Sequence, residues 1–226
     1  MLFRSQVVGL ELTADGLTDL SPVRAFTGMR RLICAGLPND AQTDLGPLRG
    51  LPLRVLEIHG NGDLTDLTPL AGMKLELLNL WGWGGSDLTP LKGMPLKWLS
   101  CAGSKQKLDL TPLAGAPLET LIVNTTQVSD LAPLRDMRLK MLDVRNTKVS
   151  DLSPLKGMPL TELFIEGTAV ADLGALRDLP LKKLSCDFQA ERDAKILRAI
   201  KILEEINGVS AEKFWKDMDE KKDKKP

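Results

Sequence analysis

The chain has 226 residues, room for one domain or two small ones, and 43 of them are leucine, a bias that signals an internal repeat. Thirty Lys and Arg balance thirty Asp and Glu, so no long-range field draws the chain to nucleic acid or to an anionic membrane. No apolar run approaches the ~18 residues of a membrane span, Met1-Leu2-Phe3-Arg4-Ser5 lacks the pattern of a signal peptide, and three Cys with one His are too few for a disulfide framework or an ordinary tetrahedral zinc site. The expectation is a soluble, cytoplasmic protein.

From the N-terminus, Val7 opens an apolar-x-x-Leu-x-apolar pattern that returns at 29–34, 53–58, 75–80, 96–101, 118–123, 139–144, 160–165 and 181–186. The alternation about the last two apolar positions is that of a strand with one buried face. Between these segments stands Asp-Leu-x-Pro-Leu or a close variant, beginning at Asp19, Asp44, Asp66, Asp87, Asp109, Asp130, Asp151 and Asp172, so the spacing is 25, 22, 21, 22, 21, 21 and 21 residues. Such a period is too short for a strand, a full helix and a return strand, which leaves one short strand per coil.

The rest of a coil is legible in Asp151-Leu152-Ser153-Pro154-Leu155-Lys156-Gly157. Ser or Thr suits a helix N-cap, Pro the first helical position and Gly a left-handed exit, so a single tight helical turn is expected on the outer side. No coil can bury its own leucines, so stability has to be a sum over neighbours. From about Gln189 the repeat gives way to Ile196, Ile200, Leu203 and Ile206 near 3.6 spacing, which predicts a helix over 189–208 that caps the last coil and stops at Asn207-Gly208. Ser210 opens a second short helix carrying Phe214, Trp215 and Met218, and the Lys- and acid-rich tail from Lys216 to Pro226 reads as a frayed, solvated end.

Over residues 7–188 these motifs resemble the bacterial short type of leucine-rich repeat. Ser21-Pro22-Val23-Arg24-Ala25, the long second coil, the recurring Leu-Lys-Gly-Met-Pro-Leu, Gly167-Thr168 and the ending from Cys186-Asp187-Phe188 through Glu191-Arg192-Asp193 and Ile206-Asn207-Gly208 to Phe214-Trp215-Lys216 are similar to planctomycete-type modules. Such modules stand alone or follow a serine/threonine kinase domain, so the resemblance implies association with a kinase domain and a role in signalling. It also implies the fold: an α/β solenoid, coiling right-handed, with a concave parallel sheet of about nine strands, short helical turns on the convex side and a C-terminal helical cap, divided into 1–188 and 189–226. The family commonly has Asn after the strand; here the slot holds Asn61, Ser104, Thr126, Thr147 and Thr168, with Trp83 as the odd member. A Thr hydroxyl is expected to bond the neighbouring coil's backbone as Asn does, whereas an indole cannot.

No catalytic set emerges. Cys34, Cys101 and Cys186 fall in the last apolar slot of their strands and read as packing residues, and His59 has no Ser or Cys nucleophile in its coil. Neither a phosphate-binding glycine loop nor a kinase signature is present, and Asp63, Asp66 and Asp87 fall at coil corners where carboxylates bond turn backbone. The prediction is a protein without enzymatic activity, cofactor or metal.

What remains is the outward face of the sheet. Alternation from each core leucine places Val55, Leu77, Trp98, Met141 and Glu162 in one outward row, Glu57, Asn79, Ile122, Asp143 and Phe164 in a second, and His59, Trp81, Asn124, Arg145 and Glu166 in a third. An apolar centre with a charged rim is the anatomy of an interface, so these fifteen residues are the candidates for binding a protein or peptide. Trp81 and Trp98 either serve as anchors or cover one another across adjacent coils. A second reading is a glycan or small ligand stacked on these tryptophans and bonded by Asn79, Asn124 and Glu57. A pocket enclosed by the tryptophans and the 82–85 loop would favour that reading, and a shallow open patch would favour a protein.

Overall fold

The computed structural model describes residues 8–13, 19–35, 44–60 and 62–223. Met1-Leu2-Phe3-Arg4-Ser5, Val7, Asn61 and residues 224–226 lie outside them. The strands are β1 (Gly9–Thr13), β2 (Arg31–Ala35), β3 (Val55–Ile58), β4 (Leu77–Asn79), β5 (Trp98–Ser100), β6 (Thr120–Ile122), β7 (Met141–Asp143), β8 (Glu162–Phe164), β9 (Lys183–Ser185), β10 (Glu205–Ile206) and β11 (Val209–Ser210). They form one sheet in chain order, parallel as far as β10 and closed by an antiparallel β11.

Pairing is in register at equivalent repeat positions: Leu56, Leu78, Leu99, Leu121, Leu142, Leu163 and Leu184 face one another strand by strand, and all are buried. Behind them Ile58, Leu80, Cys101, Val123, Val144, Ile165 and Cys186 form a second buried row. Core and outward faces therefore fall where the alternation put them. Burial pushes the Cys34 thiol up to about 11 and the Cys101 thiol up to about 12, as befits thiols used for packing.

The outer wall consists of single 3-10 turns such as Thr68–Leu70, Thr111–Leu113 and Ser153–Leu155, each with Pro in its first two positions. Ser and Thr are not the caps. In all eight coils the repeat Asp accepts the backbone N–H two residues on, at 2.7–2.8 Å, so the hydroxyl residue is the first residue of the turn. Because the donor is backbone, the x of Asp-Leu-x-Pro-Leu can be Gly46, Ala132 or Thr68, whereas the Asp recurs in every coil. Gly72 and Gly157 leave their turns at φ +75° and +79°, as the left-handed exit requires.

The post-strand Thr residues also depart from expectation. Thr126, Thr147 and Thr168 donate to the carbonyl three residues back in their own coil, at 2.7 Å, because a one-carbon hydroxyl is too short to cross to the neighbour as an amide does. Among the described post-strand residues only Ser104 reaches the adjacent coil, donating to the Gly85 carbonyl at 3.2 Å. Trp83 is turned inward and fully buried, with no partner for its Nε1 among the described residues. A Cβ on Gly85 would stand 2.5 Å from the indole, and one on Gly84 would overlap the Gly62 carbonyl oxygen, which explains the glycines after this tryptophan.

The C-terminal segment is a strand extension between two helices rather than one helix. Helix α1 (Ala190–Leu197) ends eleven residues earlier than the predicted stop, Leu197, Ile200 and Leu203 cover the last coil, and Ile196 packs partly buried beside them. The remaining chain forms β10 because the outer edge of β9 would otherwise leave its N–H and C=O groups unpaired. Asn207-Gly208 is then a two-residue hairpin turn with φ of 50° and 78°, and the Asn207 carboxamide pairs with both backbone groups of Cys186, at 2.8 and 3.0 Å. Buried Asp193 supports the start of α1. Burial pushes its carboxyl up, but the Arg192 guanidinium at 2.6 Å and the Gln189 N–H at 2.8 Å outweigh that and hold it below the ordinary range. Ser210 caps α2 (Ala211–Asp223) as expected, Phe214 and Trp215 pack edge-on with Phe188, and the tail predicted to fray is helical as far as Asp223.

Two outcomes follow from these contacts. Leu121 is wholly buried between two leucine neighbours, so Leu121→Ala should lower unfolding free energy by ~2–5 kcal/mol in denaturant titration. The carboxyls of Asp19, Asp66, Asp87, Asp109 and Asp151 are held below the ordinary 3.8, chiefly by hydrogen bonds from the residue two positions on. A lowered folded-state pKa contributes stability that is fully present above the unfolded value and disappears as pH falls through the folded one. Melting temperature should therefore be independent of these groups at neutral pH and decline once pH drops below about 4.

Candidate partner-binding face

The outward rows meet in the middle coils as a depression of about 510 Å3. Trp81, Trp98, Ile122, Met141 and Phe164 supply its apolar lining, and His59, Asn79, Ser100, Ala102, Asn124, Asp143 and Arg145 its remainder. Ten of the fifteen predicted residues are thus brought together. Val55, Glu57, Leu77, Glu162 and Glu166 share the face but lie outside the depression, and Ser100 and Ala102, which alternation also turns outward, were not among the candidates. The two tryptophans come from different outward rows and form no ring pair among the described residues; Trp81 is 56% exposed.

Polar groups fix the lower part of this surface. Asp143 is only 3% exposed, yet its carboxylate is fully engaged: Asn124 Nδ2 donates at 2.8 Å, the Arg145 amide at 3.1 Å, and Arg145 Nε and NH2 at 3.0 and 2.6 Å. The same guanidinium lies over the Phe164 ring, 5.2 Å from its centroid. The hydrogen bonds from Arg145 to Asp143 raise the Arg145 pKa further, so the guanidinium is permanently charged. On the N-terminal side Glu57 bridges Arg31 at 3.4 Å and His59 at 3.6 Å.

His59 Nε2 also lies 3.0 Å from Asn79 Nδ2. With the imidazole proton on Nδ1, Nε2 accepts from Asn79. With the proton on Nε2, directed to Glu57, the carboxamide has to turn its buried Oδ1, otherwise unpartnered among the described residues, toward the ring. This cluster can switch between two hydrogen-bonded arrangements, and among the described residues the imidazole is hydrogen-bonded to no hydroxyl or thiol; Ser100, which lines the same depression, stands two strands away on β5. Among the described residues no three of His, Cys, Asp and Glu converge as a metal site would require, and no helix is long and apolar enough to cross a membrane.

No family model matches the chain, nor does any curated protein by sequence. Among solved structures it is similar to internalin C2 of Listeria monocytogenes, with a TM-score of 0.72 and 29% identity over 80% of this chain and 80% of that one. It is also similar to an internalin (inlF) of the same organism, with a TM-score of 0.59 and 25% identity over 84% of this chain and 70% of that one. The fold is a leucine-rich-repeat solenoid. Both neighbours are bacterial proteins of that architecture, in agreement with the repeat period, the parallel sheet and the 3-10 outer wall.

One strained residue marks the rim of the depression in this solenoid. The turn after each strand needs a left-handed residue, supplied by Gly60, Gly82, Gly103, Asn146 and Gly167 in five coils and by Thr125, at φ 56°, in the sixth. A β-branched residue is costly there, and Thr125 follows Asn124, the ligand of Asp143. Thr125→Gly should raise unfolding free energy by about 0.5–1 kcal/mol, the left-handed penalty relieved less the added chain entropy of glycine. Denaturant titration beside the wild type measures it directly.

Proposed function

We propose that the protein is a non-catalytic scaffold that binds a protein or peptide across the concave face of residues 1–188, with 189–226 as its cap. The observation that carries this reading is the open depression in which Trp81, Trp98, Ile122, Met141 and Phe164 stand beside an ion pair whose carboxylate, Asp143, is buried and fully engaged. Rigid aromatic and thioether groups around a preorganised polar pair match the composition of interface hot spots. The glycan or small-ligand reading would need an enclosed site. Trp83 points into the core and residues 82–85 contribute nothing to the lining, so the support lies with a larger partner.

Two finer parts of the proposal have narrower support. Attachment to kinase-linked signalling and the planctomycete-type subgroup rest on the sequence motifs around Ser21-Pro22 and Cys186-Asp187-Phe188. A cytoplasmic location is supported by three buried free thiols, which suit a reducing compartment. The test of the scaffold is Trp81→Ala combined with Trp98→Ala, compared with wild type in affinity capture and then in titration against the recovered partner. The variant should unfold cooperatively and lose about 2 kcal/mol or more of binding, roughly thirtyfold in Kd. Equal recovery by both forms would move the binding site elsewhere on the molecule.

A further inference from the structure

The charges around the depression are distributed unevenly, and the unevenness specifies the occupant. Toward the N-terminus the face is neutralised internally, because Glu57 is shared by Arg31 and His59. Toward the C-terminus, Glu162 and Glu205 flank Lys183 in the first outward row, and Glu166 and Asp187 stand in the third. Among the described residues none of these four carboxylates is in a salt bridge, although Asp187 Oδ2 accepts the Gly167 N–H at 2.7 Å; of the other cations nearby, Arg145 is committed to Asp143 and Arg192 to Asp193. In a chain of zero net charge, one end of one face carries four carboxylates against a single uncommitted ammonium.

The same face already holds one cation in the manner it would hold another: the Arg145 guanidinium sits between the Phe164 ring and the Asp143 carboxylate. The ring faces of Trp81 and Trp98 and the carboxylates of Glu162, Glu166 and Glu205, outside any ion pair among the described residues, offer that chemistry to a further cation. We propose that the partner presents a basic, extended segment: one large apolar side chain seated in the depression, with Lys or Arg residues running from it toward the C-terminal coils. This inference rests on the proposed concave-face binding and adds the chemistry of the partner. The geometry also gives the spacing. From Trp98 on β5 to Glu162 on β8 is three strand steps, about 14 Å, and to Glu205 on β10 five steps, about 24 Å. An extended chain advances ~3.4 Å per residue, so the basic residues fall about four to seven positions from the apolar anchor.

The test is selection of a random 12-residue peptide library displayed on phage against the full chain, followed by titration of the selected sequences as synthetic peptides. The expected result is enrichment of an apolar anchor with Lys or Arg about four to seven residues away. Affinity should fall about tenfold in the Glu162→Lys plus Glu166→Lys variant at low ionic strength, with a smaller difference in high salt. Thermal unfolding of the variant, unchanged for two solvent-facing substitutions, separates lost binding from lost structure. Neutral or acidic consensus peptides, or affinity that ignores the charge reversal while remaining sensitive to Trp81→Ala plus Trp98→Ala, would overturn the basic-segment inference and leave the concave-face reading standing. Peptides indifferent to the tryptophans would overturn both. Failure to select any peptide, together with concentration-dependent self-association, would put this chain's own lysine-rich C-terminal helix on the face and overturn the inference of a separate partner.

Discussion

Everything in this molecule depends on adjacent coils meeting in register. A coil of about 21 residues has too little interior to bury its leucines, so each Leu of the core row is covered by its counterparts on either side. A slip of one residue would turn the whole row to solvent and bring the outward row inside. The hydrophobic penalty for that slip is what fixes the orientation of every side chain on the concave face. The site is therefore a consequence of the core, in the sense that Trp98, Met141 and Asp143 face outward because Leu99 and Leu142 cannot.

Two further ladders reinforce the register without adding core. The repeat Asp holds its own outer turn through a backbone donor two residues on, so the geometry that presents the turn's Leu and Pro to the interior is fixed within each coil. At the strand entrances Arg54, Glu76, Lys97, Glu119 and Lys140 alternate in sign from coil to coil, with ion pairs at 3.6, 3.0 and 2.6 Å along the series. Thr161 interrupts the alternation and instead donates its hydroxyl to the Lys140 carbonyl, after which Lys182 and Glu204 resume it. These pairs are exposed and individually weak, but a misplaced coil would set like charges side by side.

Most of the fold was legible in the sequence because a repeat states the same physical rule many times. Eight Asp anchors and the strand pattern established period, register and face, and the structure keeps all three. The unrepeated parts were harder. Ile196, Ile200, Leu203 and Ile206 are spaced like a helix face, yet the open edge of β9 demands strand pairing, and tertiary hydrogen bonding overrode the local pattern at Glu205 and Ile206. Asn-Gly is both a helix stop and a hairpin turn; with Ile206 before it and Val209 after it, the hairpin was the available alternative signal. The inward Trp83 could have been suspected from Gly84-Gly85, since two glycines after an indole leave the room that its insertion needs. The mutual engagement of Asn124, Asp143 and Arg145 was less accessible, because alternation places these residues on one face without saying which of them neutralise each other.

That engagement divides the work on the concave face. Arg145 has already surrendered its rotamer freedom to Asp143 and Phe164, and tryptophan has little to lose, so contacts at the centre involve a small further ordering cost. Glu162, Glu166 and Lys183, by contrast, have no such restraint and are screened by water and salt. On the proposed concave-face reading, binding strength would reside in the depression, while the charged end would govern approach and select among partners that fit the centre equally well. A face built this way can change its preference by surface substitution near Glu162 and Glu166 without disturbing the leucine row beneath, since side chains that point to solvent leave the strand register untouched.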